Sequence, residues 1–408
     1  MTAREYPVFT VTPKAERSLR AGHPWVYGEE VTAVEGAYQN GDIVDVVSNK
    51  GRYLGTGWVN DHSKIRVRII SRNANDTFDE AFFRRRVCYA LNYRKTVMGP
   101  VDYRCCRLIF GEADQFPGLT VDRFENILVT QVLSLGMERR KDWVYRALVE
   151  LLREDGEQID AIYERNDVAI RTLEGLEQKK GFYQMEGLRT DLSGHVTITE
   201  NGIKYDVDYI EGQKTGFFLD QKYNRQAAAK LARGRRVLDC FTHTGAFALN
   251  AAAAGAEHVT AVDVSAFALE LAAENGKRNG LTNLDYKCAD VFDLLTEMAK
   301  EKKCDYDYII LDPPAFTKSR ATAKNAYHGY KEINRKAMQL LPRGGYLATC
   351  SCSHFMTDEM FRKMLREAAL DAGVTLRQIE ARQQAPDHPI LPEVPETDYL
   401  KFYLLQVV

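Results

Sequence analysis

Hydrophobic and polar positions alternate with a period of two in the first 72 or so residues of the chain. The segments 41–47 and 64–70 both show this pattern, and the turn residues 49–51 (Asn-Lys-Gly) follow the first of them. Because successive side chains of a strand point to opposite faces, the alternation predicts short strands with one buried face. We therefore expect a small, mostly β domain over residues 1–73. Its strand at 64–70 places three basic side chains on one face, namely Lys64, Arg66 and Arg68.

Helical and strand-like segments mix in the middle of the chain. The pattern predicts a charged helix over 77–98 and another helix over 141–153. Short strands are predicted at 107–110, 118–122, 127–132 and 161–164. We therefore assign residues 74–190 to a central α+β domain.

Strands begin to alternate with helices at about residue 235. The predicted strands are 236–240, 258–263, 284–288, 308–312 and 345–350. The first two are followed by predicted helices at 245–254 and 266–279. This order is typical of a parallel sheet with crossover helices packed on it. Residues 191–408 are therefore expected to form an α/β domain with a doubly wound sheet.

The composition is that of a soluble globular protein. The chain has 408 residues, of which 45% are hydrophobic and 27% are charged, and this length predicts two or three domains. No stretch reaches the roughly 18 uninterrupted apolar residues of a membrane-spanning helix. Since the N-terminus also lacks the apolar segment of a secretory signal, we expect a cytoplasmic protein without a membrane partner. The sequence is compatible with a homodimer.

The charge is distributed unevenly, although the net charge is only −2. Eleven basic and four acidic residues give the segment 64–107, here called the basic segment, a charge of +7. Such an excess is typical of a surface that faces phosphate groups. The alternative is an ordinary solvated helix face. The candidate phosphate-facing residues are Lys64, Arg66, Arg68, Arg84, Arg85 and Arg86.

Acidic residues stand at or near the carboxyl ends of three predicted strands. Asp239 and Asp263 belong to the first two strands, 24 residues apart, and Asp290 follows the third. In a doubly wound sheet, ligands bind outside these strand ends, and an acid at the second strand can hold ribose hydroxyls. Gly245, in the turn after the first strand, would let a ligand approach the backbone at a helix start. The pattern favours a nucleoside ligand.

Two other interpretations apply to these acids. Each of them could be an ordinary helix cap, because Asp and Ser favour such positions. A dinucleotide dehydrogenase would carry G-x-G-x-x-G after the first strand, whereas Gly245 is the only glycine of segment 239–247. Since this segment offers no cradle for a diphosphate, S-adenosylmethionine fits it better than a dinucleotide.

Candidate catalytic residues end the fourth and fifth strands of the predicted sheet. Asp312 is followed by Pro313 and Pro314, and the fifth strand continues into Cys350 and Cys352. A cysteine at this edge can be a nucleophile if its thiolate is stabilised. Thiolate addition to carbon 6 of cytosine makes carbon 5 nucleophilic toward a methyl donor, and Asp312 is the candidate for a carboxylate near ring nitrogen 3. A zinc site would need a second cysteine pair, so no metal is expected.

These motifs resemble the bacterial and archaeal 23S ribosomal RNA 5-methylcytosine methyltransferases over nearly the whole chain. The resemblance rests on segments 14–25, 111–122, 216–225, 239–247, 312–314 and 351–353. Members of that family combine an N-terminal PUA domain, a central α+β domain and a Rossmann-like class I methyltransferase domain. The resemblance therefore implies these identities for residues 1–73, 74–190 and 191–408.

The resemblance also implies roles for single residues. Cys352 holds the middle position of the family's Ser-Cys-Ser motif, which makes it the nucleophile, with Asp312 as the second catalytic residue. Many RNA 5-methylcytosine enzymes have a further cysteine after the fourth strand, but Pro314 stands there in this chain, and a role for Cys350 is open. The cofactor-binding residues are predicted to be Gln221, Asp239, Phe241, Thr244, Gly245, Asp263, Ser265, Asp290, Asp312 and Pro313. The six phosphate-facing candidates become the predicted RNA-binding residues.

The sequence thus predicts methyl transfer from S-adenosylmethionine to carbon 5 of a cytosine in 23S ribosomal RNA, through a covalent cysteine adduct. Two alternatives stay open. Asp-Pro-Pro also occurs in amino-directed methyltransferases, so the target could be a guanine or adenine nitrogen. A non-catalytic RNA-binding factor in ribosome assembly is the alternative of another class, although it would not need Asp239, Asp263 and Asp312.

Overall fold

The computed structural model describes residues 5–301, 304–317 and 322–408. The chain divides into two compact units. The first unit comprises the chain up to Ile198 together with Val207–Leu219 and Pro386–Thr397. The second unit comprises Thr199–Asp206, Asp220–Ala385 and Asp398–Val408. The predicted domain limits at 73 and 190 stay predictions. None of the helices in the three described ranges has the length and apolar composition of a membrane-spanning helix.

The first unit begins with a six-stranded sheet and one helix. Its elements are β1 (Val8–Val11), α1 (Pro13–Arg20), β2 (Trp25–Tyr27), β3 (Val31–Glu35), β4 (Ile43–Ser48), β5 (Tyr53–Val59) and β6 (Ile65–Ser71). The strand order is β2-β6-β5-β4-β1-β3, with β1 parallel to β4 and the other pairs antiparallel. The alternating apolar residues, such as Val44, Val46, Val67 and Ile69, form its buried core. The predicted strands at 41–47 and 64–70 are therefore confirmed.

A second sheet and three helices complete most of the first unit. These elements are α2 (Glu80–Val97), β7 (Cys105–Phe110), β8 (Leu119–Phe124), β9 (Ile127–Val132), α3 (Leu135–Glu138), α4 (Lys141–Glu154), β10 (Ala161–Asn166) and β11 (Lys179–Phe182). The strand order is β11-β10-β9-β8-β7. Helix α2 begins three residues later than predicted, because the Asp79 side chain accepts the Phe82 N–H and caps the helix at that point. The α+β character predicted for this region is confirmed.

The chain then forms a hairpin and a large α/β sheet. The hairpin strands are β12 (His195–Glu200) and β13 (Ile203–Asp208). The sheet strands are β14 (Arg236–Cys240), β15 (His258–Asp263), β16 (Leu284–Cys288), β17 (Tyr308–Leu311), β18 (Tyr346–Ser351), β19 (Leu376–Arg382) and β20 (Lys401–Val407). The helices are α5 (Lys222–Ala229), α6 (Ala246–Ala253), α7 (Ala266–Arg278), α8 (Val291–Glu301), α9 (Ala323–Leu340) and α10 (Asp358–Ala372).

The sheet order of the second unit determines where a ligand can bind. The order is β16-β15-β14-β17-β18-β20-β19, and the first five strands are parallel, whereas β20 runs antiparallel to both of its neighbours. The order reverses at β14, and in such sheets the crevice at the carboxyl ends beside the reversal holds the ligand. The Rossmann-like α/β fold predicted here is confirmed. The strands β19 and β20 were not predicted.

Candidate active site

The loop after β14 has an unusual backbone. Phe241, His243 and Gly245 have φ angles of 63°, 51° and 84°, so three alternate residues are left-handed. Non-glycine residues rarely adopt this conformation, and such strain is concentrated at functional sites. A Cβ at position 245 would lie 2.9 Å from the Cβ of Ala272 in α7. Close helix packing and the positive φ therefore account for Gly245, whereas its closeness to a ligand stays a prediction.

Asp239 is fully buried at the end of β14, and only one of its two carboxylate oxygens accepts hydrogen bonds within the described ranges. Its Oδ2 accepts hydrogen bonds from Thr242 Oγ1 at 2.5 Å and from the Ala248 N–H at 2.9 Å. Its Oδ1 is buried and has no partner within the described ranges. Burial raises the pKa of this carboxyl to about 7, and nearby Asp312 adds to the rise. A cationic group that reached Oδ1 would satisfy this acceptor.

Asp263 and Ser265 shape the turn after β15. Asp263 accepts the His243 N–H at Oδ2 and the Ser265 N–H at Oδ1, both at 2.9 Å. The Ser265 hydroxyl oxygen accepts the Ala268 N–H at 3.2 Å and caps α7. Each carboxylate oxygen of Asp263 retains a lone pair that could accept a ribose hydroxyl. Ser265 is therefore a helix cap, as the alternative interpretation expects. Asp263 instead links the loop after β14 to the loop after β15 at the carboxyl edge of the sheet.

Asp290 and the aromatic residues beside it complete the β16 side of this edge. The Oδ1 atom of Asp290 accepts the N–H groups of Phe292 at 2.8 Å and Asp293 at 3.2 Å, so this exposed acid caps α8. Phe241 packs against Phe292 with ring centroids 6.4 Å apart. The Thr244 side chain is half-buried. The contacts of these residues with a cofactor stay predictions.

Gln221 holds Asp312 in place through a chain of hydrogen bonds. Gln221 Nε2 donates to Asp312 Oδ1 at 3.0 Å, and Gln221 Oε1 accepts from Asn224 Nδ2 at 2.7 Å. Asn224 Oδ1 in turn accepts from Arg382 Nε at 3.1 Å. Burial and a neighbouring carboxylate raise the pKa of Asp312 to about 6. Pro313, the next residue, is buried. Gln221 therefore orients the predicted catalytic acid, a role that the sequence did not indicate.

The two candidate cysteines have different surroundings. Cys350 is fully buried in β18, and burial together with hydrogen-bonded Asp312 raises the pKa of its thiol well above the usual range. Cys352 lies just beyond the strand and is only half-buried. Cys350 is therefore a thiol at neutral pH, while Cys352 is the more accessible sulfur. Together with the four aspartates at positions 239, 263, 290 and 312, they form what is here called the strand-end cluster.

Two residues near Cys352 were missed by the sequence analysis. The Tyr330 hydroxyl in α9 lies 2.9 Å from Ser353 Oγ, and Lys401 Nζ donates to the Ser353 carbonyl at 2.7 Å. Lys401 begins β20, a strand that was not predicted, so its pairing with β18 had no signal in the sequence.

Arg225 of α5 forms a buried, bidentate ion pair with Glu200, with N···O distances of 2.7 and 2.9 Å.

The arginines of β6 are paired with acids of the first unit. Arg66 forms an ion pair with Asp61. Arg68 donates to Glu174 at 2.7 Å and lies 3.5 Å from Glu112, and its side chain is only 12% exposed. These acids offset the positive charge on which the prediction of an RNA-binding face depends.

The arginines of α2 also have partners. The partners are Glu150 and Glu154 for Arg84, Asp76 for Arg85 and the amide oxygen of Gln115 for Arg86. Lys64 is exposed and forms no ion pair within the part of the chain that the structure describes. Acids from other segments of the chain therefore offset the charges of Arg66, Arg68 and Arg84, whereas Arg85 pairs with Asp76 of the basic segment itself. The RNA-binding role of its residues stays a prediction.

Comparison with known proteins identifies two regions of the chain. Residues 9–72 match the profile of a PUA-like domain, and residues 180–405 match that of an S-adenosylmethionine-dependent methyltransferase. A curated relative from Pseudoalteromonas atlantica, named ribosomal RNA large subunit methyltransferase I, is 41% identical over 98% of this chain and 99% of its own length. A relative of the same name from Shewanella denitrificans is 43% identical over 97% of this chain and 98% of its own.

Solved structures support the same fold. A protein described as a SAM-dependent methyltransferase from Streptococcus mutans superimposes with a TM-score of 0.81, covering 98% of this chain and all of that one, at 22% identity. A further methyltransferase structure, complexed with SAH, gives a TM-score of 0.82 with the same coverage and identity. At this identity the likeness shows the fold, which combines the PUA-like and methyltransferase regions in one chain.

Proposed function

The chain belongs to the family of S-adenosylmethionine-dependent methyltransferases, and on that premise we propose that it methylates carbon 5 of a cytosine in large-subunit (23S) ribosomal RNA. The observation that supports this target is the position of Cys352. Strands β17 and β18 are parallel neighbours, so their carboxyl ends carry Asp312 and the Ser-Cys-Ser segment at one edge of the sheet. The relatives that are 41–43% identical are named for large-subunit ribosomal RNA.

The residues of the strand-end cluster fit the cofactor. When bound, S-adenosylmethionine supplies the methyl group as an electrophile, and it carries positive charge. Asp239 Oδ1 is a buried acceptor without a partner in the described ranges, which suits a cationic group. Asp263 has lone pairs that can accept hydrogen bonds from the ribose hydroxyls. The second oxygen of Asp290 can accept a hydrogen bond from an adenine amino group. We propose that these three acids hold the cofactor.

We propose that Cys352, and not Cys350, is the nucleophile. Cys350 is fully buried beside the Asp312 carboxyl, and this negative neighbour opposes loss of its proton. A half-buried sulfur just past the strand end is the better candidate for reaching a base that has left its stack.

The proposed steps use the side chains of Cys352 and Asp312 and a base that takes the carbon 5 proton. The Cys352 thiolate forms a bond to carbon 6 of cytosine, and the electron pair of the C5–C6 bond becomes available at carbon 5. Asp312, whose pKa of about 6 keeps part of it protonated near neutral pH, can donate a hydrogen bond to ring nitrogen 3. After methyl transfer, a base removes the proton from carbon 5. The C6–S bond then breaks and returns the thiolate.

A covalent trapping experiment tests this proposal. In the presence of S-adenosylmethionine, methylated 5-fluorocytosine in RNA has no proton to lose at carbon 5, so the adduct should accumulate as a complex stable to denaturing electrophoresis. We expect the unmodified protein and the Cys350→Ala variant to form this complex, and the Cys352→Ala variant to form none. The two variants are matched because each removes one thiol, two residues apart.

Two outcomes would contradict the proposal. A complex that forms with Cys352→Ala but not with Cys350→Ala would assign the nucleophile to the other cysteine. Full methylation of ribosomal RNA by Cys352→Ala would exclude a covalent route through this residue. In that case mass spectrometry of RNA nucleosides from a deletion strain should show loss of a methylated guanosine or adenosine.

Mapping at nucleotide resolution identifies the target. We expect a deletion strain to lose one 5-methylcytidine of 23S ribosomal RNA. An unchanged set of methylated nucleotides, combined with no heat of S-adenosylmethionine binding in calorimetry, would favour the non-catalytic assembly factor instead. A ribosomal substrate also supports the proposed cytoplasmic location. The proposed homodimer is checked by light scattering of the purified protein.

A further inference from the structure

Lys401 is a buried lysine that the steps above do not use. It is the first residue of β20, lies opposite Ser351 of β18 and is only 5% exposed. Burial of an ammonium group away from water is costly unless a nearby group compensates for it. Such a lysine therefore needs a partner in its surroundings.

The hydrogen bonds of Lys401 place its ammonium beside the segment that contains Cys352. Its Nζ donates to the carbonyl oxygens of Ser353 and Tyr399, both at 2.7 Å. An ammonium group has three N–H donors, and these two acceptors are neutral. Within the described ranges, no carboxylate forms an ion pair with Lys401. The positive charge is therefore not neutralised by the groups that bind it.

We propose that Lys401 is a positioning residue that stabilises the thiolate of Cys352 with its positive charge and fixes the backbone after it through Ser353. This inference rests on the proposed function, since it assigns Lys401 a role toward the proposed nucleophile. A positive group near a cysteine is the common way to keep a thiolate at neutral pH.

The electrostatics of the pocket agree with this role. Burial lowers the pKa of Lys401 to about 8, while the negative charges of a Cys352 thiolate, Asp398 and Asp358 act in the opposite direction. The ammonium therefore stays mostly protonated at pH 7. Around Cys352, α9 contributes Tyr330 and β18 contributes Cys350, and burial raises the pKa of both, so they are uncharged at that pH.

The same geometry explains why two neighbouring cysteines differ. Cys350 is hydrogen-bonded to the Asp312 carboxyl, which favours its thiol form. Cys352 is electrostatically coupled to the Lys401 ammonium, which favours its thiolate form. Asp312 and Lys401 together thus determine which of the two sulfurs is activated.

The rate of alkylation of Cys352 as a function of pH tests the proposal without RNA or cofactor. Iodoacetamide reacts with the thiolate, and peptide mass spectrometry follows the peptides of Cys352 and Cys288 in the same sample. Cys288 is an exposed cysteine and serves as the internal reference. In the unmodified protein we expect the midpoint of Cys352 at least about one pH unit below that of Cys288.

Two substitutions separate charge from packing. Lys401→Met removes the charge and keeps most of the side-chain volume, so the Cys352 midpoint should rise by about one pH unit, which lowers its alkylation rate at pH 7 by up to about tenfold. Lys401→Arg retains the charge and should keep the midpoint near that of the unmodified protein. A purely structural role would leave the midpoint in place in both variants. S-adenosylmethionine affinity, measured by calorimetry, should be unchanged and reports that the fold is intact.

The proposal is overturned by either of two results. The first is an unchanged Cys352 midpoint in Lys401→Met protein that still binds S-adenosylmethionine normally. The second is a Cys352 midpoint at or above that of Cys288 in the unmodified protein, a result that needs no variant to fold. An activated Cys352 in a protein that makes no adduct with 5-fluorocytosine RNA would refute the proposed function and leave the role of Lys401 intact.

Discussion

The basic segment of the first unit and the strand-end cluster of the second unit are both rich in charge, but they use it differently. In the basic segment, Arg66, Arg68 and Arg84 each face acids that neutralise them. In the strand-end cluster, Asp239 is buried with one oxygen unpaired in the described ranges, and the half-buried carboxyl of Asp312 lies close enough to raise the pKa of Asp239. Paired charges mainly support the fold, whereas an unpaired buried acceptor is costly unless a ligand satisfies it.

The difference shows that the net charge of a segment does not tell which of its charges are paired in the fold. The net charge of +7 includes only the residues of segment 64–107 and leaves out acids elsewhere in the chain. Acids from outside the segment, such as Glu150, Glu154 and Glu174, pair with Arg84 and Arg68 and are not part of that count. Acids at the carboxyl ends of parallel strands, in contrast, meet at one edge because of the sheet order itself.

The largest effect is expected when a paired arginine of the basic segment is removed. Arg68→Met should lower the free energy of unfolding of the first unit by about 2–4 kcal/mol, because Glu174 and Glu112 would lose their counter-charge in a largely buried site. All three tryptophans, Trp25, Trp58 and Trp143, belong to the first unit. Tryptophan fluorescence during urea unfolding therefore reports this unit selectively.

A matched control for this change is Arg66→Met. Its partner Asp61 is 41% exposed, and exposed ion pairs contribute only about 0–1 kcal/mol. If Arg68→Met left stability unchanged and weakened RNA binding instead, Arg68 would be an RNA contact and the contrast between the two regions would fail.

The next effect concerns the unpaired acceptor of the strand-end cluster. Asp239→Asn should weaken S-adenosylmethionine binding about 10- to 100-fold, since a hydrogen bond to a charged group contributes about 1.5–3 kcal/mol. Calorimetry measures the affinity, and Asp285→Asn, on the exposed side of β16, is the control that should bind normally. Equal affinity in Asp239→Asn would mean that Oδ1 is satisfied by something other than the cofactor.

A smaller effect is expected from pH. Because the pKa of Asp239 is about 7 in the fold, its ionised fraction rises from about one tenth at pH 6 to about nine tenths at pH 8. The affinity for the cationic cofactor should therefore rise up to about tenfold over this range. The raised pKa also means that this carboxyl stabilises the fold most below its unfolded pKa, and that this stability is lost as the pH rises through 7.

Calorimetry between pH 6 and 8 checks this pH dependence. The Asp239→Asn variant is the control, since an amide does not titrate and its weaker affinity should change less with pH. A pH profile that is identical in the two proteins would assign the titration to another group.

The smallest effect is expected for Lys64, which forms no ion pair within the described part of the chain. Lys64→Ala should weaken RNA binding a few-fold at low salt and reduce the dependence of log affinity on log salt by less than one, as for a single phosphate contact. Arg84→Ala should change RNA affinity less, because Glu150 and Glu154 already occupy its guanidinium. A larger loss for Arg84→Ala would show that RNA displaces its partners.

Much of the second unit could be predicted from local pattern. The strands that end at Asp263 and Cys288 were predicted with the bounds that the structure shows. The first is a largely buried apolar run and the second, at the sheet edge, alternates apolar and polar residues, and both patterns are local signatures of a strand. The β19–β20 pair was missed. Strand β19 follows helix α10, and β20 pairs antiparallel with β18. Nothing in the residues of β20 indicates that β18 is its neighbour.

The sequence by itself determined the α/β sheet, the strand-end positions of the acids and the choice of two candidate cysteines, because the periodicity of a strand and the alternation of strands with helices are read from neighbouring residues of the chain. Only the tertiary structure decided which charges are paired and which sulfur lies near a cation. Glu174 is 106 residues from Arg68, and Lys401 is 48 residues from Ser353. The physical reason is that a pKa and an ion pair depend on distance in space and on exclusion of water, and a sequence pattern carries neither of these.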